Sequence, residues 1–381
     1  MTQAYVRDRL TWVAFLMLAW FAYLQTAPGL VVPHLRDEFD LSYTAGGLHV
    51  AGFAVGSMVA GLASSRIERA LGRRRLLWCS AALMALGTIG LTAGGRVEVT
   101  VGSVVVMGVG GGLLLATIQA LLADHHGERR TVALAEANVG ASISYVVLIG
   151  AFAATAALGA GWRTALLASL LVPAVVWLLN RRLGVAEGPV TAAGAGSLPG
   201  RFWVAAVVLV CAAAAEWCVS AWGATFVEEA VDVSTDTAVS LMAAYFGGFL
   251  LGRTVGSRLA HRFHPTRLLA YALGIAGVGF AVLWPSATIV QALLGLALLG
   301  LGIGNLFPMA LSIAVAVAPD RAALASGRAV TVTSLAVLLA PLAVGALADA
   351  TTLKTALTIV PVMLGLAAAG LLLVGPATTD R

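Results

Sequence analysis

Two carboxylates stand where carboxylates are seldom found. Glu216 lies in Cys211-Ala212-Ala213-Ala214-Ala215-Glu216-Trp217-Cys218 and Glu136 in Ala133-Leu134-Ala135-Glu136-Ala137-Asn138, both inside long apolar runs. A charged side chain in the middle of a bilayer costs about 3 kcal/mol on insertion scales, so it is expected to face a cavity or a partner. Counting about 1.5 Å of rise per residue from Phe202, Glu216 is roughly 20 Å into a hydrocarbon layer about 30 Å thick. A carboxyl at that depth can take a proton from one side and give it to the other, or serve as a protonated packing residue. Trp217 and Trp222 flank it on the same segment, and their rings could stack on a sugar face or pack in lipid. Glu136, Asn138 and Gln119 suit an inner polar cluster; alternatively, Glu136 pairs with Arg129, Arg130 or Arg328 and latches one conformation.

Further polar groups could line a cavity. In Gly304-Asn305-Leu306-Phe307-Pro308 the proline removes a backbone donor and frees a carbonyl one turn earlier, and interrupted helices of this kind line transporter sites. Asn305 and Phe307 are therefore candidates, with a simple kink as the competing account. Gln25, ahead of Pro28-Gly29, invites the same two readings. Tyr23, Tyr145 and Tyr245 complete the candidate solute contacts, while His49 near a span end reads as a hydrogen-bonded structural imidazole. No HExxH, GxSxG or Walker A pattern and no acidic metal cluster is present, so neither an enzyme nor a cofactor is expected. His125-His126 beside Asp124 reads as a solvated loop rather than a metal site.

The elements that must position these groups follow from composition. The chain has 381 residues, 60% hydrophobic and only 11% charged, with 43 glycines and a mean hydropathy of +0.95. Soluble domains carry about 25% charged residues, so this is an integral membrane protein. Glycine in such abundance points to close helix packing in lipid. Cys79, Cys211 and Cys218 all fall in apolar stretches and offer no disulfide framework. Spans of about 20 apolar residues can be placed at roughly 10–31, 45–65, 76–94, 98–123, 131–158, 163–180, 202–227, 237–259, 266–284, 287–317, 327–349 and 352–375. The first exceeds the length of a signal-peptide core and is expected to remain as a helix.

Twelve spans put both termini on one side. With that side inside, Arg36, Arg96, Arg163 and Lys354 are the outer cations and the other nineteen of the 23 basic residues fall at inner ends and loops. The positive-inside rule then makes both termini cytoplasmic, in the cell (inner) membrane. The net charge of +5 is a topology signal and not a nucleic-acid footprint, because the arginines are scattered between apolar segments.

The chain repeats itself at an offset of 192 residues. Ser65-Arg66 falls on Ser257-Arg258, Arg75-Leu76-Leu77 on Arg267-Leu268-Leu269, and Gly108, Gly110 and Gly112 on Gly300, Gly302 and Gly304. The expected fold is all-α: two pseudo-symmetric six-helix halves, 1–182 and 201–381, joined by a cytoplasmic linker at 183–200 containing Gly188-Pro189 and Gly194-Ala195-Gly196.

Between the second and third spans, Gly61-Leu62-Ala63-Ser64-Ser65-Arg66 followed by Gly72-Arg73-Arg74-Arg75 resembles the Gly-x-Leu-Ala-Asp-Arg-x-Gly-Arg-Arg motif of the major facilitator superfamily. Ser65 replaces the motif's Asp, and Ile67–Leu71 lengthens the loop. The resemblance implies a cytoplasmic gate on Gly61, Arg66, Gly72, Arg73, Arg258 and Arg328, with Asp124, Glu128 or Asp320 standing in as partners of Arg66 or Arg328. An arginine expected early in the fourth span appears as Val104, and the Gly-Pro signature of proton-coupled drug antiporters is absent from Gly140–Gly150. Ala215-Glu216-Trp217 with Trp222, and Gly302–Pro308, look like the fucose-type sugar permease branch.

These readings together predict a secondary transporter, monomeric in the lipid bilayer, that moves a small polar organic solute (sugar-like or organic acid) by alternating access as a proton symporter, with Glu216 and Glu136 as coupling carboxylates. An efflux antiporter for amphipathic compounds is the alternative within transport, and a non-transporting receptor or scaffold is the alternative outside it.

Overall fold

A computed structural model describes residues 6–185, 196–260 and 262–374. The linker glycines Gly188 and Gly194 and the terminal Arg381 lie outside these residues. The described chain is helical, with α1 Arg9–Phe39, α2 Tyr43–Leu71, α3 Arg73–Ala93, α4 Val97–His126, α5 Arg130–Ala157, α6 Gly161–Ser169, α7 Leu171–Asn180, α8 Gly200–Val231, α9 Thr235–Leu259, α10 Pro265–Leu283, α11 Ile289–Ala316, α12 Ala322–Ala350, α13 Leu353–Ala356 and α14 Ile359–Val374. In hydrocarbon every backbone amide must find its partner within its own segment, and the helix meets that demand.

Eleven stretches are long and apolar enough to cross a membrane. One of them, Val97–Ala157, is 61 residues long, and a 3-10 turn at Gly127–Arg129 divides it into α4 and α5. The spans at 163–180 and 352–375 each appear as two helical pieces, α6 with α7 and α13 with α14. Several helices outrun the apolar stretch that marks them. α1 continues eight residues past position 31 and gives way where Asp40 adopts a left-handed φ of 50°. Hydropathy reports the part of a helix that sits in lipid; its ends are set by where the backbone can turn.

The chain divides into two compact units, one of 1–31 and 48–190, the other of 32–47 and 191–381. Each has its own glycine seams. In the first, Gly56 of α2 packs on the Val105 carbonyl of α4, Gly108 of α4 on the Phe53 carbonyl, and Gly112 on Ser57. On the other side of α4, Gly110 packs on Met84 and Gly87 on Met107. A Cβ at any of the five would come within 3.0 Å of the named neighbour, closer than real side chains approach.

The second unit repeats this arrangement at the offset read from the sequence. Gly248 packs on the Ala297 carbonyl, Gly300 on the Tyr245 carbonyl, Gly304 on that of Phe249, Gly302 on Ala276 and Gly279 on Leu299. Every one of these ten positions and partners maps onto its counterpart by 192 residues. The repeat is therefore a repeat of backbone-to-backbone contact, the means by which helices gain van der Waals attraction where lipid removes the hydrophobic driving force.

The second unit also holds the α1–α2 turn. Asp349 of α12 accepts from the Tyr43 and Thr44 amides at 2.7 and 2.8 Å, capping α2 from another helix. The Tyr43 hydroxyl donates to Glu229 at 2.6 Å, and the Arg36 guanidinium lies 3.7 Å from the Tyr43 ring centroid.

The seams generate a test with a built-in pair. Gly110→Ala and Gly302→Ala should each cost about 1–3 kcal/mol by overpacking and lower the thermal midpoint of the detergent-purified protein. Gly140→Ala, where a Cβ meets nothing within 4 Å, should leave it unchanged or raise it. Equal midpoints in all three would show that the seams are not tight.

Candidate functional site

Within the second unit, α8, α9 and α11 carry a set of neighbouring polar groups. Glu216 stands at the midpoint of the 32-residue α8 and, like Trp217, is half-buried. From α9, the Tyr245 hydroxyl donates to the Glu216 backbone carbonyl at 3.5 Å, and the charge of Arg253 bears on the Glu216 carboxyl. Arg253 Cζ lies 4.4 Å from the Phe249 ring centroid, and its Nε donates to the Gly304 carbonyl of α11 at 3.3 Å. From α11, Asn305 Nδ2 donates to the Gly252 carbonyl at 2.7 Å. Gly252 and Gly256 on α9 make the room Asn305 occupies, since a Cβ at Gly256 would collide with its Oδ1. α11 runs on through Pro308 without a break, so the expected interruption there is not found.

Arg253 was counted among the inner-end cations and is instead six residues inside α9, half-buried among these groups. The topology rule absorbs any arginine near a span end, which is why its chemistry was missed. The repeat offset would have singled it out. Subtracting 192 turns Glu216, Tyr245, Arg253 and Asn305 into Leu24, Phe53, Gly61 and Leu113. In the first unit Leu24 is fully buried, and Ala60, Leu76 and Leu113 form an apolar cluster. The scaffold is shared by the two units, but the polar equipment is confined to one.

Three of the other candidates are enclosed by the structure. Trp222 is fully buried, its Nε1 donating to the Pro341 carbonyl at 2.8 Å with Tyr43 against its ring, so no face is free for a solute. Tyr23 is buried and donates to the Ala165 carbonyl at 2.9 Å, and Tyr245 is equally enclosed. His49 meets the Thr100 hydroxyl at 2.9 Å, the structural imidazole expected. Gln25, Tyr145 and Phe307 are half-buried.

In the first unit Glu136 takes a different partner from those foreseen. Arg7 Nε and Nη2 donate to its two carboxylate oxygens at 2.8 and 2.7 Å, a bidentate pair that ties the segment before α1 to α5. Asn138 is exposed and donates to the Leu134 carbonyl of its own helix at 2.7 Å, while Gln119 is exposed on α4. His125 and His126, read as a solvated loop, form the last turn of α4 and bind the same N-terminal segment. His125 Nε2 is 2.8 Å from Asp8, and His126 Nε2 is 2.9 Å from the Thr11 hydroxyl. Burial alone would raise the Asp8 carboxyl, but hydrogen bonds from Thr11 and His125 outweigh it and hold the group below its ordinary 3.8.

At the motif after α2, the buried side chain is Arg73. It donates to Glu68 at 2.7 Å and Asp124 at 2.8 Å, so Asp124 serves Arg73 and not Arg66 or Arg328. The expected loop at 67–71 is instead the last turn of α2, and Glu68 within it supplies a carboxylate where Ser65 has lost one. Arg66, Arg258, Arg328 and Gly61 are exposed, and Gly72, with φ 78°, turns the chain into α3. Among the described residues no group of three His, Cys, Asp or Glu could hold a metal ion.

The fold has many solved counterparts. A bacterial homologue of the human lysosomal transporter Spinster, in an inward-facing and occupied conformation, matches with a TM-score of 0.78 at 15% identity over 97% of each chain. The nucleoside transporter NupG matches at 0.74 and 12% identity over 97% of this chain and 98% of its own. The D-xylose–proton symporter matches at 0.75 and 16% identity over 97% and 96%. No curated protein sequence matches the chain. The Major Facilitator Superfamily profile matches residues 11–230 and again 205–381. Helices, repeat and profile agree: the chain is a multi-pass membrane transporter belonging to the major facilitator superfamily.

Proposed function

We propose that the protein is a proton-coupled symporter for a small polar organic solute, with Glu216 as the coupling carboxylate. The observation that carries the reading is the polar set of Glu216, Arg253 and Asn305, present in one unit and replaced by Leu24, Gly61 and Leu113 at the equivalent places of the other. An ionisable residue within a span needs a partner or a wet cavity. Arg253, whose charge bears on the Glu216 carboxyl, provides the partner. Deprotonated, Glu216 offsets the charge of Arg253; protonated, it leaves that charge to attract an oxygen of the solute. One proton then changes the polarity of the site without a second charge entering the membrane.

The solute class follows from the donors available. Asn305 and Arg253 offer hydrogen bonds to hydroxyl or carboxylate oxygens, and half-buried Trp217 offers an aromatic face. Hydroxyl-rich solutes fit this set, and two proteins of similar fold are a nucleoside transporter and a D-xylose–proton symporter. The solute crosses chemically unchanged. Arginine placement supports a cell-membrane location with both termini in the cytoplasm, and the two six-helix halves at 1–182 and 201–381 are the moving bodies of alternating access.

In this reading Glu136 is a latch and not a coupling group, because Arg7 already neutralises it at the N-terminal segment.

Glu216→Gln should abolish accumulation against a gradient in proteoliposomes while sparing solute exchange, so that internal solute rises only to the level set by its own gradient. Uptake that keeps its pH dependence in this variant would remove Glu216 from the mechanism. Arg7→Ala and Glu136→Ala should give a double-mutant coupling below about 1 kcal/mol in thermal unfolding, since the pair is 53% and 30% exposed and such pairs are weak. Both single variants should retain accumulation; its loss in Glu136→Ala alone would restore Glu136 as a coupling residue.

A further inference from the structure

A cavity of about 790 Å³ opens in the first unit where α3 begins and α7 ends. Arg74 and Arg75 line it from α3, Arg181 and Arg182 from the end of α7, with Trp78 and Trp177 between them. No carboxylate is among the lining residues. Arg73, the preceding residue, is buried and holds both Glu68 and Asp124, and none of the four cavity arginines is in an ion pair among the described residues. Four guanidinium groups thus line one opening with no carboxylate partner among the described residues. Gly72, which also lines the cavity, leaves the start of the 21-residue α3 without a side-chain cap, and the positive end of that helix dipole adds to the local field.

We infer that this cavity is a binding site for the phosphodiester headgroup of an anionic phospholipid. The volume falls within the about 300–1,000 Å³ of small-molecule sites, and planar guanidinium forks match phosphate oxygens. Three features favour a lipid over a soluble anion. Arg181 lies 5.5 Å over the Trp177 ring, and tryptophan is enriched at headgroup depth. Arg74 donates to the Arg181 carbonyl, which joins the two rims of the cavity into one wall. Beyond that wall α7 presents Leu171, Leu178 and Leu179, 60–67% exposed, as an apolar track on which acyl chains can lie. On the sidedness proposed above, the cavity opens to the cytoplasmic leaflet, where anionic lipids attract basic pockets between helices.

Cys79 at the cavity wall supplies the readout, because it is exposed while Cys211 and Cys218 are buried. The full-length protein in neutral detergent would be labelled with a maleimide in the presence of phosphatidylglycerol, phosphatidylcholine or inorganic phosphate. Phosphatidylglycerol should slow Cys79 labelling several-fold, with phosphatidylcholine and phosphate inert. In Arg75→Gln/Arg182→Gln, both exposed positions, the protection should disappear with the thermal midpoint unchanged. Equal protection by phosphatidylcholine would reduce the effect to general lipid coverage, and equal protection by inorganic phosphate would assign the site to a soluble anion. Protection that survives in the double variant would overturn the arginine site. Should that variant not fold, the three-ligand comparison on the unsubstituted protein decides the question.

Discussion

Hydrocarbon offers a polypeptide nothing to hydrogen-bond with and nothing to be repelled into. The first condition forces the chain into helices, and the second deprives those helices of the force that assembles a soluble core. What remains is contact, and contact is strongest where backbones touch. The glycines of α4 and α11 allow that approach on two sides at once, so each of these helices becomes the spine of its unit, with α2 and α3 or α9 and α10 laid against it. The sparse charge of the protein follows from the same solvent. With 11% of residues charged, few ionic groups lie within the spans, and several of those near their ends tie helix ends together, as Asp349 and Arg73 do.

Against this shared scaffold, the differences between the units become informative. Where two copies of an architecture keep ten packing positions but differ at four polar ones, packing cannot be the reason for the difference. Leu24, Phe53, Gly61 and Leu113 show what the positions require structurally: an apolar residue, a ring or no side chain at all. Glu216, Tyr245, Arg253 and Asn305 add, at the equivalent places, polar groups that the first unit does without. Asn305 is the clearest case, because its amide fits only where Gly252 and Gly256 have cleared α9.

Hydropathy and the glycine repeat carried most of the fold. Span number, the internal offset and the superfamily resemblance all rest on patterns that lipid imposes along the whole chain, and such patterns survive local irregularity. Helix ends were less legible, because α1 and α2 continue past the apolar run and stop where turns and caps allow. Within the site, Glu216 and Asn305 were readable since each is chemically out of place in its segment. Arg253 was not, because an arginine near a span end already has an explanation in topology. Pairings were least accessible of all: Glu136 with Arg7, Asp124 with Arg73 and Asp8 with His125 join positions 51 to 129 residues apart, and nothing in the order of the chain selects those partners over their neighbours.

The glycine seams have a mechanical consequence. Side chains interleaved between helices can change rotamer and let one helix slide past another, but backbone pressed on backbone has no rotamers to exchange. The triplets α2–α4–α3 and α9–α11–α10 therefore behave as stiff plates, with low internal entropy to lose and little freedom to shear. Any change of shape within a unit has to be taken up by helices that lie outside the plates. In the second unit those include α8, α12 and α14, so Glu216 sits on a helix outside the plate, whereas Arg253 and Asn305 sit within it.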